Sequence, residues 1–413
     1  MSKISLKHSG GNVVSLNSPT NAPGAADVAF KLPNADGSDG QALVTDGSGN
    51  LSFGNVAGGS ARNLVINGAM QVAQRGTSST STGYASVDRF NLYHANTGVT
   101  ITQSQQSSAS SDTPYTLGFR NFFRMALASA GTANANAEIG LTTHLEAQDV
   151  ANSGWNLTSS TSNITLSFWF RCSTNQTFYA YLRTRDGTNY NYPFSFTASG
   201  NNAWTKITKT IPGNSNLQID NDNERGLSIS IIPFYGTDLT NNLSLDQWSA
   251  YDTANRMPDM ASTWLTAGAS TFDITGIQLE VGSVATDFEH RLIAQELLLC
   301  QRYYQRFTSG GNTYRYLCLG TMDDDGSSAQ IMMTFRIPFR SSISSMDTTG
   351  SASDYAIRLN STQTCTAVPL FYSGTEHSCY LVFEKTSVGW STGQCVLALL
   401  ATTGSYLGFS AEL

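Results

Sequence analysis

Histidines and carboxylates are the side chains here that could carry acid–base or metal chemistry, and their spacing does not assemble a catalytic set. The five histidines are far apart and occur in no HxH, HxxxH or HExxH pattern: His8, His94, His144, His290 and His377. The sequence also contains no GxSxG motif, phosphate loop or dinucleotide-binding fingerprint. We therefore expect a protein without enzymatic activity and without a cofactor.

Acidic residues occur in two short clusters. In the segment DNDNE, Asp220, Asp222 and Glu224 alternate as oxygen ligands would around calcium. The segment lacks the glycine at position six and the glutamate at position twelve of a helix–loop–helix calcium site. These three residues are weak calcium candidates, and a polar turn is the favoured alternative. The run Asp323-Asp324-Asp325-Gly326 predicts a solvated loop rather than one of the two facing carboxylates that sugar hydrolysis needs.

Aromatic residues are the remaining chemical signal. Sugars are bound by stacking on exposed rings, together with neutral hydrogen-bonding side chains. Five aromatics of the last third lie at predicted strand ends or in loops rich in Gly and Ser: Tyr314, Tyr316, Tyr372, Trp390 and Tyr406. We predict them as glycan-binding candidates; ordinary packing in a core or an interface is the alternative for each.

The composition excludes several classes of protein. Only 13% of the 413 residues are charged, about half the usual share of roughly 25%. The net charge is -7 and the basic residues are scattered, which argues against nucleic acid as a partner. The 10% of aromatic residues argues against general disorder. No apolar run approaches the ~20 residues of a membrane span, and the N-terminus lacks the apolar core of a secretory signal.

Short apolar pieces and tight turns define the first part of the chain. Residues 1–60 are rich in Gly, Asn, Asp and Ser, and QALVTDGSGNLSFGNV reads as a small hairpin. Such pieces are too short to close a core within one chain, so this segment is either flexible or ordered by other chains. Residues 61–287 follow as a series of period-two strands separated by turns, a pattern typical of an antiparallel β-sandwich.

One helix is predicted between two β regions. Over residues 288–307, Ile293, Leu297, Cys300 and Tyr304 form one apolar seam at helical spacing. The helix either packs on its own domain or meets symmetry mates at a three-fold axis. Residues 308–413 return to strands and predict a second, smaller β-sandwich. The six cysteines form no CxxC pair, so we expect buried free thiols.

Several motifs resemble those of a known group of proteins. RNLVINGAMQVAQRG opens the middle region, FDITGIQLEVGSVATDFEHR closes it, and AQELLLCQRYYQRF follows. This series resembles tail fibres and receptor-binding proteins of tailed bacteriophages, as does LPNADGSDGQALVTDGSGNLSF near the N-terminus. The middle region is also similar to jelly-roll carbohydrate-binding modules. The matching residues are Asn63-Leu64, Asn67-Gly68, Ile274, Ile277 and Leu279.

The resemblance implies an all-β virion protein with an intertwined N-terminal fibre segment, a central jelly roll, one short helix and a C-terminal sandwich tip. It implies a homotrimer, attached to other virion proteins by residues 1–60, that binds a host glycan or lipopolysaccharide through its distal domains. The protein would be made in the host cytoplasm and exposed on the particle. The alternatives are a capsid fibre or decoration protein, and a tailspike enzyme that degrades host polysaccharide.

Overall fold

The computed structural model describes residues 3–7, 10–11, 13–17, 31–34, 36, 41–45, 50–55, 62–199, 201–323, 326–385 and 389–413. Contacts between Cα atoms divide the chain into two compact units, 1–60 and 61–413. In the first unit, β1 (Lys3–Lys7) pairs with β2 (Val13–Asn17), and β3 (Gln41–Thr45) pairs with β4 (Leu51–Asn55). The β3–β4 pair confirms the predicted hairpin; the rest of the predicted attachment segment lies largely outside the described residues.

The second unit begins with a sandwich of two six-stranded sheets. Short helices α1 (Thr113–Thr116), α2 (Ala147–Ala151) and α3 (Thr263–Thr266) lie in its connections. Its strands, in chain order, are β5 (Ser78–Ser79), β6 (Asn91–Ala95), β7 (Ile101–Ser107), β8 (Asn121–Leu127), β9 (Glu138–Glu146), β10 (Asn163–Cys172), β11 (Asn175–Thr184), β12 (Tyr190–Ser199), β13 (Thr205–Pro212), β14 (Arg225–Tyr235), β15 (Ser249–Ala250) and β16 (Thr271–Val281).

The core of this sandwich lies between sheets ordered β13-β10-β16-β8-β7-β5 and β15-β12-β11-β14-β9-β6. Because side chains alternate along a strand, every second residue of β10 points inward, including Phe168 and Phe170. Phe170 meets Phe196 of the opposite sheet edge to face, with ring centroids 4.8 Å apart. Aromatic packing of this kind joins the two sheets.

A second, smaller sandwich follows helix α4 (Ile293–Gln301). It packs a three-stranded sheet, ordered β17-β26-β20, on a seven-stranded sheet, ordered β22-β21-β25-β18-β19-β24-β23. Its strands are β17 (Tyr304–Thr308), β18 (Arg315–Met322), β19 (Ser328–Thr334), β20 (Met346–Thr348), β21 (Tyr355–Arg358), β22 (Thr362–Thr364), β23 (Leu370–Gly374), β24 (Ser378–Glu384), β25 (Cys395–Leu400) and β26 (Tyr406–Ser410).

The observed architecture confirms the predicted all-β class. Strands make up 43% of the chain and helices 7%, and the described sheets are antiparallel. Within the described residues, no helix is long and apolar enough to cross a membrane. The domain boundaries predicted within 61–413 stay predictions, since contacts hold this range together as one unit.

The predicted helix over 288–307 is too long. Helix α4 covers only Ile293–Gln301, and Tyr304–Thr308 forms strand β17, which pairs with β26. Aromatic residues favour strands, and the partner strand supplies the hydrogen bonds that a helix would have provided. The predicted seam is therefore split: Cys300 is buried on the helix, Tyr304 is buried on a strand, and Ile293 is exposed.

The predicted opening strand Arg62 to Asn67 is not a regular strand. Instead, the buried side chain of Asn63 bonds to the backbone of β16. Its amide donates to the Ile277 carbonyl at 3.2 Å, and its Oδ1 accepts from the N–H groups of Val65 and Leu279 at 2.9 and 3.1 Å. One side chain thus fastens the start of the sandwich to a central strand.

The cysteines agree only in part with the expectation of burial. All six are free thiols, and Cys172, Cys300, Cys365 and Cys379 are buried. Cys318 is half-buried and Cys395 is exposed. Cys395 begins strand β25, where the alternation of side chains turns it away from the core.

Replacing Asn63 should destabilise the sandwich. In Asn63→Ala the N–H groups of Val65 and Leu279 and the Ile277 carbonyl lose their partner, and each buried orphan costs about 1–3 kcal/mol. We expect the free energy of unfolding to fall by roughly 3 kcal/mol or more in a urea titration. Asn216→Ala, at an exposed position, is the matched control and should stay within about 0.5 kcal/mol of wild type. Equal stability of the two variants would contradict the fastening role of Asn63.

Candidate functional site

The five aromatic candidates differ in exposure. Tyr372 and Tyr316 are 74% and 57% exposed, and Tyr314 is also exposed. Trp390 and Tyr406 are half-buried, and Trp390 packs against the core of the smaller sandwich. Three of the five glycan-binding candidates are thus exposed, and their role in binding stays a prediction.

Tyr372 lies on the outer face of the seven-stranded sheet. Its ring meets Tyr380 of β24 at a centroid distance of 5.1 Å. Along β19 the burial alternates strictly, which leaves Met332 exposed opposite Tyr380 in the register. Leu319 of β18 is exposed as well and pairs with Leu397. These residues form an uncharged row across several strands, named here the outer sheet face: Leu319, Met332, Leu370, Tyr372, Tyr380 and Leu397.

Tyr316 lies on this face as well, since it pairs with Leu399, and its hydroxyl accepts from Arg358, which pairs with Leu397. Tyr316 also borders a cleft beside edge strand β17. The three-stranded sheet covers only part of the seven-stranded one, and a cleft of about 390 Å³ opens between β17, β18 and β19. We call it the Tyr316 cleft. Its lining residues are Gln301, Gln305, Arg306, Phe307, Thr308, Tyr316, Leu317, Met333, Thr334 and Arg336.

Tyr406 contacts Arg306, which is one of the residues that line this cleft. The Arg306 guanidinium lies over the Tyr406 ring, 3.5 Å from its centroid. Arg306 also donates through Nη1 to the carbonyl oxygens of Gln74, at 3.0 Å, and Arg75. On the other side, Arg358 donates to the Tyr316 hydroxyl at 3.0 Å. Tyr316 and Tyr406 thus contact different arginines, and Tyr372 lies three strands from β18, roughly 14 Å away.

The cleft offers hydrogen bonding. Its lining includes residues with amide, hydroxyl and guanidinium groups: Gln301, Thr334 and Arg336. Its lining contains no carboxylate, so these residues hold no acid–base pair for sugar hydrolysis. The arginines were not among the predicted site residues. Only Arg306 follows a recognisable signal, because it belongs to the CQRYYQRF segment.

A buried arginine attaches the smaller sandwich to the larger one. Arg89 is 1% exposed, forms an ion pair with Glu412, and donates to the His144 carbonyl at 2.6 Å. Its guanidinium lies 3.4 Å from the ring centroid of Tyr303. Burial alone would lower the pKa of Arg89, but the Glu412 carboxylate, together with Tyr303, Tyr84 and Cys300, raises it above its usual value. We call this set the Arg89 clamp.

A second ion pair supports the clamp. Arg302, just after α4, donates to both carboxylate oxygens of Glu146 on β9, at 2.7 and 2.8 Å. The Tyr303 hydroxyl donates to the same carboxylate at 2.5 Å. Burial would raise the pKa of Glu146, but these hydrogen bonds from Arg302 and Tyr303 hold it below its usual value. The chain between the two sandwiches is therefore tied to the larger one.

Helix α4 packs on its own domain by one face only. Glu296 is buried and accepts from the Asn67 N–H at 2.5 Å, and Cys300 is buried beside it. Leu292, Ile293 and Leu298 are exposed, Leu292 by 72%. Packing on its own domain is thus observed, and an apolar face is left uncovered.

The larger sandwich has an aromatic pocket of its own, of about 230 Å³. Trp169 and Lys206 line it together with Phe288 and His290. At its base Gly276 has a φ of +65°, and a Cβ there would lie 2.8 Å from Phe119. The pocket therefore depends on glycine at position 276.

The weak calcium candidates take other roles. Asp222 Oδ1 accepts from the Glu224 N–H at 2.9 Å, and Glu224 forms an ion pair with Arg340 at 3.4 Å. The Asp220 N–H donates to Asp186. Within the described part of the chain, no group of three His, Cys, Asp or Glu side chains is arranged to hold a metal ion. The segment is a polar turn whose bonds are made within the protein.

No protein-family model matches the sequence, and no curated protein is significantly similar to it. Among solved structures, the enzymatically active domain of tailspike protein 4 from bacteriophage CBA120 is similar over 54% of this chain and 22% of that one, at 12% identity and a TM-score of 0.29. A structure titled "CBM4 structure and function" matches over 52% of this chain and 98% of that one, at 10% identity and a TM-score of 0.28.

A further similar structure is TmCBM61 in complex with β-1,4-galactotriose. It matches over 54% of this chain and all of its own length, at 8% identity and a TM-score of 0.25. A phage tailspike domain and carbohydrate-binding modules are thus among the structural neighbours. At these scores the similarity assigns neither a family nor a ligand to this chain.

Asp88 is a buried carboxylate close to the Arg89 clamp. Gln74 donates to it twice, from its backbone N–H at 2.9 Å and its side-chain amide at 2.5 Å. Burial raises the pKa of Asp88 from 3.8 to about 6; the Gln74 hydrogen bonds oppose the rise and the Glu412 carboxylate adds to it. Because the folded-state pKa lies above the unfolded one, the contribution of Asp88 to stability is present at low pH and is lost as the pH rises through about 6.

Asp88→Asn does not titrate, so its stability relative to wild type should depend on pH. We expect its free energy of unfolding, measured against wild type, to improve by up to about 3 kcal/mol between about pH 4 and about pH 7.5. Urea titrations at both pH values measure the difference in unfolding free energy between Asp88→Asn and wild type. The hydrogen bond that is lost when an amide replaces the carboxylate lowers the stability of the variant by the same amount at both pH values. Asp238→Asn, at an exposed carboxylate, is the control. The same offset for Asp88→Asn at both pH values would contradict the effect.

Proposed function

We propose that this protein is a homotrimeric virion protein of a tailed bacteriophage, a tail fibre that binds a host surface glycan without cleaving it. The observation that carries the glycan-binding role is the exposed ring of Tyr316, whose hydroxyl accepts a hydrogen bond from the Arg358 guanidinium. Residues 1–60 would attach the protein to other virion proteins, and the smaller sandwich would face the host. The motif resemblance supports the virion role.

The chemistry around Tyr316 suits a sugar. A pyranose ring presents C–H groups that stack on an aromatic face and hydroxyls that bond to amides and guanidinium groups. Tyr316 is held in place by Arg358, so little side-chain freedom is lost on binding. Three copies per fibre would raise the avidity of a weak single site by as much as ~10²–10⁴.

Two uncovered apolar surfaces support the homotrimer. The outer sheet face exposes Leu319 and Met332, and the free face of helix α4 exposes Leu292 and Ile293. Contiguous apolar patches of this kind mark interaction sites on soluble proteins. We assign the part of the outer sheet face around Met332 and Tyr372 to contacts between copies of this chain, which leaves Tyr316 and Arg358, at the other side of that face, for the glycan.

Replacing Tyr316 should weaken glycan binding. On an array of bacterial surface polysaccharides, we expect the full chain to bind and Tyr316→Ala to lose affinity about tenfold, equivalent to about 1.4 kcal/mol of stacking. A point variant is preferable to a deletion, because deleting the chain from Thr308 would also remove Glu412 and leave Arg89 buried without its partner.

The matched control for glycan binding is Tyr115→Ala on helix α1, where the tyrosine stacks with Arg120 at 4.0 Å. It should bind as wild type does. No retention of any polysaccharide by the wild-type chain would overturn the proposed function. Release of reducing ends from a bound polysaccharide would instead identify a hydrolytic tailspike.

The oligomeric state tests the assignment of the outer sheet face. Light scattering should give three times the 44.3 kDa chain mass for wild type. Met332→Glu places a charge within the apolar row and should shift the mass towards one chain. Thr208→Glu, exposed on β13, is the control. A wild-type mass of 44.3 kDa would exclude the trimer, and a trimeric Met332→Glu variant would exclude this face.

A further inference from the structure

Four rings meet in the aromatic pocket of the larger sandwich, which we call the Trp169 pocket. Three of them, Phe119, Phe288 and His290, pack on one another with centroid distances of 4.8, 4.9 and 5.0 Å. His290 is held in place because its Nε2 donates to a backbone carbonyl at 2.8 Å. The fourth ring is that of Trp169, whose Cδ1 would lie 3.3 Å from a Cβ at Gly276. The walls of the pocket are therefore ordered before any ligand binds.

The strand register fixes which polar side chains share this face of the sheet. Phe168 and Phe170 point into the core, so Ser167 and Trp169 of β10 point outward. Lys206 of β13 pairs with Trp169 and therefore projects on the same side. Ser167, Trp169 and Lys206 all line the pocket.

Ser167 provides a buried hydroxyl without a partner. The residue is 3% exposed, and its hydroxyl makes no hydrogen bond with any described residue. The indole N–H of Trp169 is likewise unpaired within the described ranges. Buried polar groups without a partner are costly. A ligand that brings a hydrogen-bond acceptor to this point is therefore favoured.

The charges and the size of the pocket restrict the ligand further. The lining contains one lysine and one aspartate, Lys206 and Asp287, so opposite charges balance and a neutral ligand is favoured. The volume of about 230 Å³ lies below the range of roughly 300–1,000 Å³ for ligand pockets. The pocket thus holds one small group. A hydroxyl placed against the rings would lose its hydrogen bonds to water, whereas a methyl group packs on them.

We infer that the Trp169 pocket binds the acetamido group of an N-acetylated sugar. The methyl lies among the rings of Phe119, Phe288 and Trp169, and the carbonyl oxygen accepts from the Ser167 hydroxyl. The sugar ring lies at the exposed rim, where Lys206 donates to its hydroxyls. The inference rests on the proposed glycan-binding function, to which it adds a second site, on the larger sandwich, and the class of sugar.

The test compares matched monosaccharides by ligand-observed NMR on the full chain carrying Tyr316→Ala, so that the Tyr316 ring does not contribute. The probes are N-acetylglucosamine, glucosamine and glucose, which differ only at C2. We expect N-acetylglucosamine to bind at least tenfold more tightly than the other two sugars. Adding Trp169→Ala should abolish this preference, and adding Ser167→Ala should lower the affinity for N-acetylglucosamine roughly fivefold, through one lost hydrogen bond.

The controls are matched variants on the opposite sheet. Tyr179→Ala on β11 removes a half-buried aromatic ring, and Ser195→Ala on β12 removes an exposed hydroxyl. Both should bind as the parent chain does. Ser167→Ala breaks no side-chain hydrogen bond within the described chain, so it still tests the inference where Trp169→Ala fails to fold.

The outcomes separate this inference from the proposed function. Equal binding of the three sugars, binding of none, or an unchanged preference in Ser167→Ala and in folded Trp169→Ala would overturn the inference, even where the polysaccharide array shows binding. Phenylalaninamide that binds more tightly than N-acetylglucosamine would also overturn it and would identify a peptide-binding pocket. Failure of the array, with the N-acetyl preference kept in solution, would overturn the proposed function alone.

Discussion

A buried guanidinium sets the arrangement of the two sandwiches. A charge removed from water is costly unless it is paired and hydrogen-bonded, and Arg89 finds each partner on a different element. Glu412 comes from the C-terminal end, the carbonyl of His144 from β9, and the ring of Tyr303 from the segment after α4. Separating the sandwiches would leave Arg89 and Glu412 unpaired.

The candidate site depends on that junction. Arg306 reaches back to the carbonyls of Gln74 and Arg75 in the larger sandwich, so one wall of the Tyr316 cleft is fixed by contacts across the boundary. The opposite wall belongs to β18 and β19 of the larger C-terminal sheet. The cleft exists because a three-stranded sheet covers a seven-stranded one only partly. Its shape therefore follows from the strand count of the two layers and from the clamp together.

The low charge of the chain is also seen on its surfaces, where many outward strand positions hold uncharged side chains. Strands of the smaller sandwich alternate between buried side chains and outward ones, and many outward positions hold Leu, Met, Tyr, Thr or Gln rather than Lys or Glu. The outer sheet face is the result. Many of the charges of the larger sandwich are used in ion pairs, such as Arg124 and Arg171 with Asp273.

The amino-acid sequence by itself determined the all-β class and the positions of most strands. Strand alternation and turn residues act over a few neighbours, so they can be read locally. Strand β9 was not predicted, because it is buried almost throughout and lacks a simple alternation. Tyr304–Thr308 was predicted as helix, because only its pairing with β26 makes it a strand.

Only the tertiary structure decided which distant residues meet. Arg89 and Glu412 are 323 positions apart, and Asn63 and Leu279 are 216 apart. The pairing of Arg306 with the 74–75 backbone was equally hidden, since no local pattern specifies the partner of an arginine. Burial and ion pairing depend on contacts between chain segments that periodicity cannot specify.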